Sequence, residues 1–294
     1  MVEALPKVGN TCDKCEACIL GKQHRLPFNS GNSRRARYPL ELVHTDLVGP
    51  MQVTSIGGST YFMTFIDDFS HKTWVYFLKS KSEAFSKFLE FKAQAERECG
   101  YYIKVLRSDR GGEYTSNSFV NFCRKHGIKK ELTASYAPQQ NGVAERKNMT
   151  IVEMARSMMK EKSLPTKFWG EDVATTIYLI NRCPTKAVRD GIPMEAWSRG
   201  RWIVEHLRVF GCVAYAHVPK EQRQKLDDKG VKCIFTGYNP ESKAYRLYDP
   251  LKNQMILSRD VEFIENQSWY GQTNESPRTS SKVPIMSEQD VDEQ

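Results

Sequence analysis

Asp46 lies inside the apolar run LELVHTDLV, Asp109 closes the run YYIKVLRSD, and Glu145 follows a loop of Pro, Gln, Asn and Gly, with 35 residues between the last two acids. Three carboxylates gathered on a basic surface would repel one another unless divalent cations sat among them, and hard oxygen ligands suit Mg²⁺ or Mn²⁺. Two such ions, typically ~3.5–4 Å apart, can activate an attacking oxygen and stabilise the leaving oxygen of an in-line phosphoryl displacement. That is the chemistry of nucleases, polymerases and strand transferases. Each acid also has a plainer reading. RSDRGGEY is composed like an ordinary turn, and a glutamate in a first helical turn favours the positive end of the helix.

The elements that would position these acids follow from periodicity. LELVHTDLV, STYFMTFIDDFS and KTWVYFLKS read as three strands of an antiparallel meander, and Asp46 lies in the first. Ser80 with Glu83 has the form of a capping box, and Phe85, Phe88, Leu89 and Ala95 then share one helical face up to Gly100. A strand ending at Asp109, a short helix through Phe119, Phe122 and Cys123, and a strand IKKELTASY come next. The following helix carries Glu145 in its first turn and an apolar stripe of Ala144, Ile151, Val152, Ala155, Met158 and Met159. Parallel strands feeding helices at one sheet edge would let the three carboxylates converge. The fold class is α/β, a mixed five-stranded sheet with helices, followed from residue 208 by short alternating runs that predict a small all-β barrel.

The chain has 43 Lys plus Arg against 35 Asp plus Glu, a net charge of +8, which fits a polyanionic partner. The surplus is local: Arg110 to Lys167 holds 11 basic and five acidic residues. From Glu265 onward six acids face two bases in a stretch rich in Ser, Gln and Pro, and residues 265–294 are read as a disordered acidic tail. Cys99, Cys123, Cys183, Cys212 and Cys233 show no pairing pattern, as expected of reduced, mostly buried thiols. No run of about 18 apolar residues is present, so no membrane partner is expected and the chain is read as intracellular.

HTDLVGP, FMTFIDDFS, RSDRGGEY and YAPQQNGVAERKN closely resemble the integrase of copia-type retrotransposons, a member of the retroviral integrase superfamily. The resemblance implies an RNase H-like core over residues 39–200, with Asp46, Asp109 and Glu145 as catalytic ligands of two Mg²⁺ or Mn²⁺. It implies DNA 3′-end processing and strand transfer on double-stranded DNA by a homo-multimer acting in the nucleus. By the same resemblance Gln140, Asn141, Arg146 and Lys147 would contact DNA, and residues 208–264 would be the small β-barrel. CEACILGKQHRLPF is similar to the end of the family's zinc module, with Cys15 and Cys18 as its two Cys ligands. No His precedes His24, so residues 1–38 read as a truncated module and basic linker, unless Cys12 and His24 complete a Zn²⁺ site. The chain would be one slice of a polyprotein.

Other acids and rings compete with this assignment. Asp67 and Asp68 read as a strand-end turn, and Glu113 as a loop glutamate or an outer group near Asp109. His44 shares a strand face with Asp46 and is expected to be a satisfied structural histidine. Trp74, Trp169 and Trp197 are expected in the core, and the sequons at Asn148 and Asn274 read as chance matches.

Overall fold

The computed structural model describes residues 35–132, 141–188, 191–239 and 241–270. Contacts divide the chain into units of residues 1–35 and 36–294, and the architecture below belongs to the second. Cys12, Cys15, Cys18, His24 and Gln140 lie outside the described residues.

A mixed sheet forms the first lobe. Strand β1 (Leu42–Val48) pairs antiparallel with β2 (Tyr61–Asp67), and β2 pairs antiparallel with β3 (Thr73–Leu78). Helix α1 (Ala84–Cys99) then leads to β4 (Val105–Ser108), which lies parallel to β1. Two short helices, α2 (Gly112–Thr115) and α3 (Asn117–Lys125), carry the chain to β5 (Lys129–Leu132), parallel to β4. The strand order is β3-β2-β1-β4-β5, so β1, which bears Asp46, is central. Arg107 and Glu131 are register partners across β4 and β5 and form an ion pair at 2.8 Å.

Apolar faces dictate the layers. Phe88, Phe91 and Ala95 of α1 are buried against Met63, Phe65 and Trp74, and the rings of Phe65 and Phe91 stack at 4.1 Å. Helix α1 ends at Gly100, whose φ of 75° is the left-handed conformation a glycine cap provides. On the opposite face, α4 (Gly142–Glu161) and α5 (Trp169–Ile180) bury Ile151, Ala155, Trp169, Val173 and Ile177 around Phe62. A final short helix, α6 (Pro193–Ser198), brings Trp197 against Trp74. All three tryptophans placed in the core from the sequence are buried there. Among the described residues no helix is long and apolar enough to cross a membrane.

The capping box takes another form. Ser80 precedes a single 3₁₀ turn, Lys81–Glu83, and its side chain makes no cap bond. Glu83 accepts a hydrogen bond from the Lys79 backbone N–H at 3.3 Å, while the Ser80 and Ser82 hydroxyls pair at 2.6 Å. The Ser80 hydroxyl is thus taken up by Ser82, and the Glu83 carboxylate bonds the N–H one residue before the one a capping box would use. Of the five scattered cysteines, Cys123, Cys212 and Cys233 are buried, but Cys99 is half-buried and Cys183 exposed.

The second lobe is all β. Strands β6 (Cys212–His217), β7 (Gly230–Tyr238), β8 (Tyr245–Asp249), β9 (Gln254–Ser258) and β10 (Val261–Ser268) form an antiparallel sheet ordered β10-β6-β7-β8-β9. Cys212, Ala214, Cys233, Phe235 and Leu247 build its core. The tail boundary set at residue 265 moves outward, because β10 continues through Ser268. Glu265 is held in place: its carbonyl accepts from Lys162 Nζ at 2.7 Å and its carboxylate from the Val209 N–H at 3.3 Å.

Helix α5 joins the lobes. Thr175 Oγ1 donates to the Thr236 carbonyl at 3.1 Å, and Glu171 pairs with Arg246 at 2.8 Å. Gly237 sits at this seam with φ +138°, and a Cβ there would stand 2.6 Å from Thr175 Oγ1. Gly237→Ala combines backbone strain with a clash at a buried hydrogen bond, and is expected to cost on the order of 2–3 kcal/mol. Urea unfolding checks this, and a midpoint equal to that of the parent chain contradicts the seam.

Candidate active site

Asp46 sits half-buried on the central strand, Asp109 immediately after β4, and Glu145 exposed in the first turn of α4. Parallel pairing of β1 with β4 puts the first two at the same end of the sheet, and α4 packs back across β1 and β2. Burial, and then the negative charges of Asp109 and Glu145, push the Asp46 carboxyl up to about 6, against the opposing hydrogen bonds from Asn148 and the Leu47 backbone. Both charges therefore reach Asp46. The three do not close into a coordination shell: among the described residues no group of three or more His, Cys, Asp or Glu stands in metal-holding geometry. Like-charge repulsion favours that spacing. As a donor set, two Asp and one Glu offer only hard oxygens, which fit Mg²⁺ or Mn²⁺, and a cation between them would reverse the repulsion that Asp109 and Glu145 exert on Asp46.

The RSDRGGEY stretch is a turn and part of the acidic site together. The Gly111 N–H donates to Asp109 Oδ1 at 3.1 Å, a local bond that fixes the carboxylate at the strand end. Space above Gly111 is taken by Glu113, since a Cβ there would meet its carboxylate carbon at 2.7 Å. Tyr114 is fully buried, and its hydroxyl pairs with Thr45 Oγ1 at 3.1 Å. Burial, and after it the anions Asp46, Asp109 and Glu113, raise that phenol well above its usual range.

Two residues at the site escaped the sequence reading. Thr64 lies directly opposite Asp46 in the β1–β2 register and donates to Asn148 Oδ1 at 2.9 Å. Asn148 Nδ2 donates in turn to Asp46 Oδ2 at 2.9 Å. Asn148 is 4 % exposed, which removes it as a surface glycosylation acceptor. Its position three residues after Glu145, on the same helix face, was the available signal.

The residues expected at DNA are placed unevenly. Arg146 is exposed at the start of α4. Lys147 is half-buried, and burial lowers its pKa. Asn141 points inward: it is 1 % exposed and donates to the Thr45 carbonyl at 3.3 Å. This bond braces β1, and the amide oxygen has no partner among the described residues. His44 is only half satisfied: it is fully buried with Nε2 2.9 Å from Asp68 Oδ1, while its Nδ1 has no partner among the described residues. Asp67 accepts from the Leu40 and Ser70 N–H groups and the Ser70 hydroxyl, which makes it a buried turn anchor.

Comparisons with known proteins agree with this architecture. Residues 36–138 match the integrase core domain family, and residues 212–277 match the retroviral polymerase SH3-like domain family. The chain is 52 % identical over 259 residues to the retrovirus-related Pol polyprotein from transposon TNT 1-94 of Nicotiana tabacum, covering 88 % of this chain and 19 % of that protein. It is 32 % identical over 268 residues to the Pol polyprotein from transposon RE2 of Arabidopsis thaliana, covering 91 % of this chain and 18 % of that protein. It thus spans about a fifth of the length of these relatives. Among solved structures, one described as a simian T-cell lymphotropic virus intasome in complex with PP2A regulatory subunit B56 gamma aligns with a TM-score of 0.50 at 18 % identity, over 85 % of this chain and 87 % of that one. An integrase core followed by a retroviral SH3-like domain, at this similarity to transposon Pol polyproteins, places the chain in the retrovirus-related integrase family.

Proposed function

We propose that this chain is the integrase segment of a copia-type element, carrying out 3′-end processing and strand transfer on double-stranded DNA with Asp46, Asp109 and Glu145 as its catalytic residues. The observation that carries the reading is geometric: Asp46 lies on the central strand, Asp109 follows its parallel neighbour at the same end, and the helix that carries Glu145 in its first turn bonds to Asp46 through Asn148. Asp46, Asp109 and Glu145 would hold divalent cations; bound there, these would activate the attacking oxygen and offset charge on the leaving one. The residues around them do the positioning. Gly111 fixes Asp109 and Asn148 fixes Asp46, while α4 brings Glu145 to the same sheet end. Water or a DNA 3′-hydroxyl would then attack a phosphodiester in line, forming one P–O bond as the P–O bond to the displaced 3′-oxygen breaks, with the nucleophile's proton passing to solvent and no covalent enzyme intermediate. Arg146, on the exposed face of α4, and the surplus of cations from Arg110 to Lys167 would track the phosphate backbone. Action at nuclear DNA and as a homo-multimer follows from that role.

Two other readings predict different products from one experiment. Purified chain incubated with a labelled duplex end in Mg²⁺ or Mn²⁺ is expected to give joined products. Cleavage without joining would make it a plain RNase H-like nuclease. A mobility shift without turnover would make it a nucleic-acid-binding remnant.

A further inference from the structure

We infer that Asn148, oriented by Thr64, is the positioning residue that sets the Asp46 carboxylate for metal capture, an assignment that rests on the proposed catalytic role of Asp46. The direction of the relay follows from donor and acceptor chemistry. An ionised carboxylate only accepts, so the Asn148 amide must present its nitrogen to Asp46. Its oxygen then faces Thr64, which must donate. The contacts have this pattern, with Thr64 Oγ1 to Asn148 Oδ1 and Asn148 Nδ2 to Asp46 Oδ2 both at 2.9 Å.

Burial and topology make the relay rigid. Thr64 is 0 % and Asn148 4 % exposed, so water does not compete for the Thr64–Asn148 bond and reaches the second bond only from the half-buried Asp46 side. Thr64 and Asp46 face each other across β2 and β1, and Asn148 reaches both from α4, 102 residues along the chain from Asp46. The amide therefore ties the helix that bears Glu145 to the strand that bears Asp46. A strand carboxylate otherwise rotates freely about its terminal torsion. The relay removes that freedom, so less order is lost when a cation binds. Hydrogen-bonded partners of metal ligands commonly change metal affinity by about 10–100-fold when removed.

The test is Mn²⁺ binding to the full chain without DNA, followed by the electron paramagnetic resonance signal of free Mn²⁺, together with strand transfer across a Mn²⁺ titration. Asn148→Ala is expected to raise the half-saturating Mn²⁺ concentration about tenfold or more, with joining restored toward the parent level at high Mn²⁺. Thr64→Val, which keeps the shape and loses the hydroxyl, is expected to weaken Mn²⁺ binding in the same direction, while Thr64→Ser retains it. Thr64→Val should add nothing in the Asn148→Ala background. If Asn148→Ala fails to fold, the Thr64 pair still decides. Mn²⁺ affinities of Asn148→Ala and Thr64→Val within twofold of the parent, alongside an Asp46→Asn variant that loses Mn²⁺, overturn the relay and leave the catalytic reading standing. Mn²⁺ binding that is indifferent to Asp46→Asn overturns both.

Discussion

Asp109→Asn is expected to lower strand transfer by about 10³-fold or more, on the order of 4 kcal/mol of transition-state stabilisation at ~1.4 kcal/mol per decade. The substitution keeps the side-chain shape and an oxygen that can still accept the Gly111 N–H, so the turn at the end of β4 survives. What disappears is one of the two further anionic charges felt at Asp46. Removing it relieves repulsion, so the Asp46 carboxyl should fall from about 6 toward its ordinary range. The thermal midpoint should stay within a few degrees of the parent. Affinity for duplex DNA should hold or rise slightly, since the variant carries one negative charge fewer. Normal joining in Mg²⁺ by Asp109→Asn would remove Asp109 from the site.

The second large effect concerns stability and lies away from the acids of the site. Asp172 on α5 is fully buried, and neither of its carboxyl oxygens has a partner among the described residues. Thr176, one turn on and also buried, has an unpartnered hydroxyl as well. Burial alone pushes the Asp172 carboxyl from 3.8 up to about 8, so the folded chain keeps this proton at neutral pH. The unfolded chain releases it near pH 4. Folding then binds a proton between those limits, and stability must fall as pH rises from about 4 to about 8. The loss attributable to this residue is on the order of 3 kcal/mol, below the full shift because water entry and relaxation soften burial. Asp172→Asn cannot titrate. Urea unfolding at pH 5 and pH 8.5 should show a steep fall for the parent and a flatter one for the variant. Equal pH slopes would mean that the carboxyl finds a partner in solution.

Much of this architecture could be read from apolar periodicity, and the reasons are local. The runs ending at Val48, Asp67 and Leu78 are rich in β-branched and aromatic residues and bounded by polar turns, and they pair as the predicted antiparallel meander, although their burial comes in continuous blocks, β2 being buried from Phe62 through Asp67. The stripe of α4 was legible because Ile151 and Ala155 meet one face of the sheet. Periodicity says less about hydrogen bonds between elements distant in sequence. Asn148 looks in sequence like any polar residue on a helix, and only the docking of α4 across Thr64 and Asp46 shows what it holds. Asp172 likewise reads as an acid favouring the first turn of a helix, yet its side chain is turned into the packed interior. Asn141 was expected at DNA from the resemblance alone, and nothing in the local sequence indicates that its amide reaches the Thr45 carbonyl. The boundary at residue 265 was drawn where composition turns acidic. Composition carries no information about Lys162, whose amine donates to the Glu265 carbonyl, or about the pairing of β10 with β6 that continues to Ser268.

The claim on which the account depends is that Asp46, Asp109 and Glu145 converge on divalent cations, and anomalous diffraction from crystals of the full chain grown with Mn²⁺ tests it most directly. Anomalous peaks are expected between Asp46 and Asp109, with Glu145 drawn into the same shell and the peaks lost in crystals of Asp46→Asn. Peaks elsewhere in the chain, or none at this end of the sheet at saturating Mn²⁺, would contradict it.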